Sequence, residues 1–340
     1  MINSKIRSTL FFSRTCDYLN HYLPEQVHKS EHTIETYRDA LTIFRRFITV
    51  HTQTTLKAFY FEDCTYELLL DYLAHLKSSG CAENTCNNRL TAIRAYLWYA
   101  SDCDISLQSV ALTAAKVPLL RVPKYNRETM GMTDLAALLD APPHTKIGLR
   151  DRVMMTLLYD AALRVSELLE LKVTSINHAA PIPFLRVRGK GDKERIVSIT
   201  DRTCAHLKKY ISNYHNDKEK EAPLFYTIIK GQQNMMSAGN VGRIVTKYAC
   251  QIQPLHPTLP KQVYPHMFRR TRATNLYQKG VELELIARIL GHSSTETTRI
   301  YAIPSLDMIK KAMEQGVLAS DEEPLWPDDD DEIARLCGLR

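Results

Sequence analysis

The chain has 340 residues, 44% hydrophobic and 24% charged, which is the composition of a globular protein with room for two domains. No apolar run approaches the roughly 20 residues that a membrane-spanning helix needs, so no membrane partner is expected. The N-terminal sequence MINSKIRSTLFFSRTC lacks the long apolar stretch and the small-residue cleavage site of a secretory signal. We therefore expect a cytoplasmic protein.

The net charge of +6 is unevenly distributed along the chain. Eight acidic residues and two arginines give residues 321–340 a charge of −6, which leaves +12 on the other 320 residues. A basic body indicates a polyanionic partner such as nucleic acid, although many basic proteins have no such partner. The acidic tail is typical of a solvated chain end, and it can also compete with DNA for the basic surface.

The cysteine spacing does not indicate a metal site. The eight cysteines include no C-x-x-C pair, and their scatter suits reduced, mostly buried thiols. Cys81 and Cys86 are the closest pair, but no second pair of ligands follows them. No bound metal is therefore predicted.

The first 112 residues are predicted to form a helical domain. Ser30 is the predicted N-cap of a helix whose apolar residues recur at helical spacing. A second helix ends at Gly80, and a third follows in AENTCNNRLTAIRAYLWYAS. The polar face of that third helix predicts either a contact with a DNA groove or an ordinary solvated surface. This face carries Asn84, Asn87, Asn88, Arg89 and Arg94.

Residues 113–128, TAAKVPLLRVPKYNRE, are predicted to form an extended interdomain linker. Pro118 and Pro123 interrupt any helix there. A basic linker suits a chain that wraps around a duplex, and it is equally consistent with a plain linker. Its basic residues are Lys116, Arg121, Lys124 and Arg127.

The second domain is predicted to start near Thr129 with helices. The stretch PFLRVRGKGDKERIVSIT then alternates like two strands around the turn Gly189–Asp192, which predicts a β-hairpin. Helices are expected again from Asp201 to the end. The predicted fold class is mainly α with a small antiparallel β-sheet.

Two motifs in this domain carry isolated cations. In YDAALRVSELLEL, Arg164 follows an apolar run, where a guanidinium is costly unless an anion meets it. Glu167 is three residues later and can orient it, although a purely structural ion pair explains the same spacing. In RVRGKGDKERIVSI, Lys190 lies between two glycines at the hairpin tip. It can reach a phosphate or donate a proton, or it is simply an exposed hairpin lysine.

Two later motifs carry histidines. In PHMFRRTRATNLYQKG, His266 and Arg269 share a helix face at a helix start that favours anions, although such a pair also occurs by chance. In LGHSSTETTRIYA, a glycine ends one helix, His292 lies at the break, and Tyr301 follows nine residues later. Tyr301 is therefore either a packing residue or a nucleophile.

The order and spacing of these four motifs resemble the active site of the tyrosine recombinase, or phage-integrase, superfamily. The resemblance is closest to its Xer-like and mobile-element integrase branches. It rests on ALRVSELLEL, GKGDKERIVSI, HMFRRTRAT and LGHSSTETTRIYA, and more loosely on HTIETYRDALTIFRRF in the first domain. Many members of the family have His where this chain has Arg270, a position outside the six catalytic ones.

The resemblance implies a two-domain recombinase that is associated with the nucleoid. Its parts are a helical, SAM-like core-binding domain, a basic linker, a catalytic domain, and a C-terminal helix with the acidic tail. These parts are expected at residues 1–112, 113–128, 129–305 and 306–340.

The resemblance also implies the reaction. A tyrosine hydroxyl attacks a DNA phosphorus, a 3′-phosphotyrosine forms, and the 5′ oxygen leaves. The covalent bond conserves the phosphodiester energy, so no cofactor is expected. Tyr301 would be the nucleophile, and Arg164 and Arg269 would hold the phosphate oxygens.

Proton transfer and support fall to the remaining site residues. Lys190 would protonate the leaving oxygen, and His266 would assist proton movement at the tyrosine. His292 would donate a hydrogen bond to the scissile phosphate, and Glu167 would orient a neighbouring side chain.

Three alternative functions remain open at this point. A type IB topoisomerase shares the chemistry, but the Xer-like motif spacing disfavours it. A non-catalytic DNA-binding regulator is disfavoured because all six catalytic residues are present. Xer-type dimer resolution is not separated from mobile-element integration or excision by these residues. The atypical HMFRRTRAT motif and the acidic tail favour the mobile element.

The expected partners are a double-stranded recombination site and further protein subunits. In PSLDMIKKAMEQGVLA, residues Leu306, Ile309, Met313 and Val317 recur at helical spacing. Such a helix either packs on its own core or, as the resemblance implies, docks on a neighbouring protomer of a tetramer that holds two DNA sites. An accessory recombinase or DNA-bending proteins are further possible partners.

Overall fold

A computed structural model describes residues 9–123, 128–189, 194–215, 221–292, 294–315 and 329–339. The chain divides into two compact units, Met1–Asn126 and Arg127–Arg340. Within the described ranges, no helix is both long enough and apolar enough to cross a membrane.

The first unit is helical in its described part. It opens with a 3₁₀ turn at Phe11–Arg14, the short helix α1 (Thr15–Asp17) and a wide π-helical stretch at Tyr18–Gln26. Short 3₁₀ turns lie at Leu56–Ala58, Phe61–Asp63 and Ile105–Leu107. Its α-helices are α1 (Thr15–Asp17), α2 (Glu31–His51), α3 (Tyr66–Ser78), α4 (Glu83–Cys103) and α5 (Gln108–Lys116).

The predicted helix ends of this unit are confirmed. Ser30 is the N-cap residue of α2, although its hydroxyl bonds the Thr33 hydroxyl and no backbone N–H. After α3, Gly80 takes a φ of +80°, and the next amide, of Cys81, returns to the carbonyl of Leu76. The left-handed conformation of Gly80 lets the Cys81 amide donate to a carbonyl that the helix end would otherwise leave unbonded.

Aromatic rings dominate the core of the first unit. Phe11 lies at its centre, with other ring centroids between 4.8 and 5.4 Å away. Large flat side chains bury much apolar area at a small cost in conformational entropy, which suits a unit of this size. The rings that contact Phe11 belong to Phe12, Phe44, Phe59, Phe61 and Tyr96.

The second unit is built around the largely buried helix α7 (Lys146–Asp160), which packs against helices before and after it in the chain. Its last two helices, at Leu306–Gln315 and Asp330–Leu336, have exposed or half-exposed side chains at residues 306–314 and 330–336. Its helices are α6 (Met132–Asp140), α7 (Lys146–Asp160), α8 (Val165–Glu170), α9 (Asp201–Tyr214), α10 (Ala238–Ile252), α11 (Pro265–Gln278), α12 (Leu283–Leu290), α13 (Glu296–Arg299), α14 (Leu306–Gln315) and α15 (Asp330–Leu336).

The two strands of the predicted hairpin form and belong to a three-stranded antiparallel sheet, while residues 190–192 of the predicted turn lie outside the described residues. Strands β2 (Phe184–Arg188) and β3 (Glu194–Ser198) pair with Arg188 opposite Glu194, and β1 (Ile176–Asn177) adds a short edge. Leu185 and Val187 point into the core of the second unit. The mainly helical fold class with a small antiparallel sheet is therefore confirmed.

A second hairpin contradicts the expectation of helices alone after Asp201. Strands β4 (Tyr226–Ile229) and β5 (Gln232–Met235) pair around Lys230 and Gly231, which both have positive φ angles. Two consecutive left-handed residues match the twist of a tight hairpin. The sequence pattern missed it because these strands are largely exposed and have no apolar alternation.

The prediction of mostly buried cysteines is wrong. All eight thiols are free, but only Cys64, Cys86 and Cys204 are buried. The other cysteines lie partly or fully at the surface, so their scatter in the sequence was no guide to burial.

Candidate active site

The centre of the candidate site is Glu167, a buried carboxylate that is surrounded by arginines. It lies in the first turn of α8 and accepts hydrogen bonds from Arg164 and Arg195. Arg269 approaches it to 3.8 Å from α11. Burial alone would raise the pKa of Glu167, but the hydrogen bonds from Arg195 and Arg164 hold that pKa below its ordinary value. The group is therefore a carboxylate at neutral pH.

Arg164 is the N-cap residue of α8, so it precedes the helix instead of lying within it. Its backbone N donates to Oε2 of Glu167 at 2.8 Å, and its Nη1 donates to Oε1 at 2.7 Å. The predicted pairing of these two residues is present. The side chain of Arg164 remains 35% exposed, so a ligand can still reach it.

Arg269 on α11 is completely buried, with 0% of its surface exposed. Its Nη1 donates to the carbonyl of Ala162 at 2.7 Å, and its Nη2 donates to the carbonyl of Leu290 at 2.5 Å. Ala162 has a φ of 49°, a left-handed conformation that is uncommon outside glycine and typical of functional sites. Burial and the nearby Arg164 lower the pKa of Arg269 to about 10, which leaves it charged at neutral pH.

Nε of Arg269 is buried, and among the described residues it has no hydrogen-bond partner. A buried donor without an acceptor costs about 1–3 kcal/mol, so such an atom in a native site calls for a missing acceptor. An anion that enters the site and offers an oxygen to this N–H would supply that acceptor.

His292 follows α12 and joins Arg269 to the short helix α13. Its Nε2 lies 3.0 Å from Nη2 of Arg269, and its Nδ1 lies 2.8 Å from the hydroxyl of Thr298. Because arginine only donates, Nε2 must accept, which places the ring proton on Nδ1 and leaves His292 neutral. Burial, Arg269 and Arg164 lower the pKa of His292 to about 4, in agreement with the neutral ring.

The candidate nucleophile Tyr301 is 3% exposed and lies in a small apolar cluster. Its hydroxyl is 3.5 Å from Nε2 of His266, the second residue of α11. Its ring stacks on the ring of His292, with centroids 6.1 Å apart. The structure thus brings together Arg164, Arg269, His266, His292 and Tyr301, as the sequence analysis expected. A phenol in contact with two histidines, in a site that also holds two arginines, is an arrangement that can attack and stabilise a phosphate.

Lys190 lies outside the described residues, as does Lys124. Two residues that contact the site were not singled out from the sequence. Arg195 holds Glu167, and the buried Thr298 accepts from His292. A signal for Arg195 exists in β3, where it faces inward while the neighbouring Ile196 is 67% exposed. A strand normally has its apolar residues on the inward face and its charged residues on the outward face, and here the two are exchanged. A cation on the inward face needs an anionic partner, which predicts a specific ion pair for Arg195.

Arg270, the departure from the family pattern, connects α11 to the start of the second unit. Its Nη1 donates to the carbonyl of Glu128 at 3.1 Å and to the hydroxyl of Tyr264 at 3.0 Å. Its guanidinium also lies over the Tyr264 ring. These contacts give Arg270 a structural role beside the site.

Two of the predicted DNA-binding residues serve inside the first unit instead. Both amide atoms of Asn87 bond the backbone of Leu120, and Arg94 donates to the carbonyls of Ala114 and Val117. These bonds attach the end of α5 and the segment after it to α4. We therefore correct the expectation for this pair, because both amide atoms of Asn87 and the Nε and Nη2 of Arg94 bond the protein itself.

The other described candidates for DNA contact are more accessible. Lys116 and Arg121 are exposed. Arg89 is half-buried, and its Nη1 bonds the sulfur of Cys81. The prediction of DNA contact is therefore kept for Lys116, Arg121 and Arg89.

Comparisons with known proteins agree with this geometry. The model of the "Phage integrase family" matches residues 128–306, and that of the "Phage integrase SAM-like domain" matches residues 14–111. Tyrosine recombinase XerD of Staphylococcus epidermidis is 27% identical over 303 residues, which cover 88% of this chain and 96% of the relative. XerD of Staphylococcus aureus is 29% identical over 292 residues, which cover 84% of this chain and 92% of the relative.

Solved structures share the fold. XerH site-specific recombinase, bound to a palindromic difH substrate, has a TM-score of 0.65 and 21% identity. That match covers 83% of this chain and 79% of the other chain. The Tn1549 transposon integrase, in complex with transposon right end DNA, has a TM-score of 0.66 and 18% identity. Here the match covers 88% of this chain and 98% of the integrase chain.

Proposed function

The chain belongs to the phage integrase family and is a site-specific DNA recombinase that cleaves and rejoins DNA, and from that premise we propose how its own residues carry out the reaction. Tyr301 attacks the scissile phosphorus, forms a 3′-phosphotyrosine and releases the 5′ oxygen. A 5′ hydroxyl from another strand later reverses the step. Bonds formed and broken balance, so the reaction draws on no external energy source.

The observation that carries this proposal is the grouping of the Tyr301 ring on His292, of His292 on Arg269, and of the Tyr301 hydroxyl at 3.5 Å from His266. Nε of Arg269 is buried there without a partner among the described residues. A phosphate oxygen supplies the missing acceptor. Arg164, which is partly exposed, binds a second non-bridging oxygen through charge-assisted hydrogen bonds. Charge developing in the transition state is thereby stabilised by groups that are already in place.

Proton transfers are assigned to three groups. His266, 3.5 Å from the Tyr301 oxygen, accepts the phenolic proton as the tyrosine attacks. Lys190 gives its proton to the leaving 5′ oxygen. His292 accepts from Arg269 in the present state, so it donates to the phosphate only after it gains a proton at Nε2. The negative charge of the bound phosphate favours that protonation.

The proposed partners are a duplex recombination site and three further copies of the chain. Basic residues of the first unit and the linker, Arg89, Lys116, Arg121 and Lys124, are proposed to contact the duplex. The apolar face of α14 supports subunit contact, because Leu306 and Met313 are 84% and 70% exposed. We propose that α14 docks on a neighbouring protomer of a tetramer that holds two DNA sites.

For the biological role we propose Xer-type resolution of chromosome or plasmid dimers. The curated relatives XerD support this role, because they match over nearly their full length. The sequence analysis favoured a mobile element, but the motif at Arg270 that suggested it has a structural explanation. A plasmid with two directly repeated sites tests the role. Resolution into two circles supports it, and integration of a circular donor without resolution supports the mobile element.

The test of the chemistry is a covalent adduct. Binding sites are first enriched from random duplexes by the purified protein, then nicked at successive positions so that a cleaved end diffuses away. We expect an SDS-resistant protein–DNA adduct from the wild type and none from Tyr301→Phe. Tyr277→Phe is the matched control, because Tyr277 packs against the same apolar cluster and should leave the adduct intact.

Each other outcome has a definite meaning. An adduct that persists in Tyr301→Phe identifies a different nucleophile. Tight binding without any adduct from the wild type favours the regulator. Exchange of strands between two duplexes, in addition to the adduct, excludes a topoisomerase.

A further inference from the structure

Arg195 on β3 contacts two separate parts of the site through one guanidinium. Its Nη1 and Nη2 donate to Oε1 and Oε2 of Glu167, each at 2.9 Å. Its Nε donates to the carbonyl of Ile289 at 3.1 Å. The side chain is only 12% exposed, so these bonds lie in a largely water-excluded region, where such contacts are strong.

The turn that presents His292 packs directly on Arg195. Gly291 ends α12 in the left-handed conformation, with a φ of +63°. A Cβ added at Gly291 would lie 2.9 Å from Nη1 and 3.0 Å from Cδ of Arg195. Glycine is therefore required here both for the backbone angle and for the close approach of the arginine.

Arg195 occupies a position in the sheet where burial of its guanidinium is energetically unfavourable unless the group is paired. It pairs with the buried Val187 across the ladder and faces the same side as the core residue Val197. A guanidinium on a core face must be paired and hydrogen-bonded to be tolerated. All three of its nitrogens are bonded, to Glu167 and to Ile289, next to the turn that carries His292.

We propose that Arg195 is a positioning residue that couples the β2–β3 hairpin to Arg164 and to His292. In the sequence Lys190 lies between β2 and β3, Glu167 bonds Arg164, and Ile289 leads into the His292 turn. The planar guanidinium of Arg195 thus fixes the relative positions of three segments that are distant in sequence, which are strand β3, the start of α8 and the turn at His292. The proposal rests on the proposed function, since it is those segments that act on the phosphate.

A lysine cannot replace this guanidinium. It keeps the positive charge but has a single nitrogen, so it cannot bond both oxygens of Glu167 and the Ile289 carbonyl in the same planar geometry. Arg195→Lys is therefore the variant that separates positioning from charge. Arg152→Lys is its matched control, because Arg152 is also a partly buried arginine bonded to backbone carbonyls, of Asp140 and Pro142 on α6 and the loop after it.

The first measurement is hydrogen exchange in the protein without DNA. The amide of Arg164 donates to Glu167, and the amide of His292 donates to the carbonyl of Ala287. In Arg195→Lys both amides should exchange at least about tenfold faster, because the carboxylate and the turn lose a common anchor. In Arg152→Lys both should exchange as in the wild type. Unchanged exchange in Arg195→Lys overturns the proposal.

A second variant keeps the test valid if Arg195→Lys does not fold. Gly291→Ala presses a methyl group on Arg195 while leaving Glu167 untouched. If Arg195 couples the two segments, this change at one side should speed exchange at the Arg164 amide on the other side. An effect confined to residues next to Gly291 contradicts the coupling.

The second measurement is the rate of adduct formation on the enriched, nicked site. We expect Arg195→Lys to bind this DNA like the wild type and to cleave it about a hundredfold more slowly, as small misplacements of catalytic groups do. A methylphosphonate at the scissile position lacks one charged oxygen and relies less on Arg164, so it should recover about tenfold of that loss. An equal loss on both substrates, or none relative to Arg152→Lys, overturns the proposal.

The two measurements also separate this proposal from the proposed function. If the wild type forms no adduct, the proposed chemistry fails, and the exchange experiment still decides whether Arg195 couples its neighbours. If the adduct forms and exchange is unchanged, the chemistry stands and the role of Arg195 falls.

Discussion

The two compact units bury very different kinds of side chain. In the described part of the first unit, the buried polar residues are Asn87 and Ser101, and neither is charged. In the second unit, carboxylates and guanidinium groups are buried. These include Asp134, Asp151, Asp160, Glu167, Arg269 and Arg270.

This difference indicates that the buried side chains of the first unit mainly stabilise its fold, whereas some of those in the second unit serve the reaction. An apolar, aromatic core stabilises a unit whose proposed task is to hold DNA at its surface. Buried charges contribute little net stability, because desolvation offsets most of their attraction. Among these charges, Glu167 and Arg269 lie in the candidate site, where we propose that a phosphate is bound without reorganisation of solvent. The following experiments test this contrast.

The largest effect is expected from Arg269→Ala. Loss of this buried cation should slow cleavage at least about a thousandfold. It should also lower the free energy of unfolding by about 3–5 kcal/mol, because Glu167 loses a neighbouring charge and two carbonyls lose their donor. Denaturant unfolding and single-turnover cleavage measure both. Arg272→Ala, on the same helix but paired with Asp160, should affect cleavage far less.

In the first unit, Asn87→Ala should lower stability without touching the chemistry. Both hydrogen bonds to the backbone of Leu120 are lost, which should cost about 1–3 kcal/mol in unfolding free energy. The exposed Asn88→Ala is the control and should change little. A large fall in the cleavage rate of folded Asn87→Ala protein would contradict the contrast between the units.

His292 should make stability depend on pH. Its pKa is about 4 in the folded chain and near 6.5 when unfolded, so the unfolded state binds a proton first as pH falls. Its contribution is fully present above pH 6.5 and is lost towards pH 4. Because the ring is only half-buried, screening limits the loss to about 1 kcal/mol. The difference between wild type and His292→Gln in unfolding free energy should shrink over this window. A constant difference argues against a neutral His292.

The smallest effect on the folded monomer is expected from removal of residues 306–340. Leu306, Ile309 and Met313 are half-exposed or more, so the free energy of unfolding should change by less than about 0.5 kcal/mol. Assembly on two DNA sites should nevertheless fail, because the apolar face of α14 is gone. Removal of residues 329–340 alone is the control and should leave assembly intact. Unchanged assembly without residues 306–340 excludes α14 as the docking element.

Local pattern was a good guide wherever one periodicity dominated. Helical spacing predicted α2, α3 and α4, and alternation predicted β2 and β3. It failed for the β4–β5 hairpin, whose strands are largely exposed and show no alternation of buried and exposed side chains. The DNA-facing expectation failed for Asn87 and Arg94 for a related reason. A polar residue on a helix has the same sequence signature whether water, DNA or its own chain bonds it.

The sequence by itself determined which chemical groups the site contains and the order in which they occur. It contained the two arginines, the two histidines and the tyrosine, and their spacing was sufficient to identify the family. Only the tertiary structure decided how these groups are paired and protonated. Arg269 meets the Ala162 carbonyl across 107 residues, and Arg195 meets Ile289 across 94. Burial, tautomer and pKa depend on such distances in space, which no local pattern encodes.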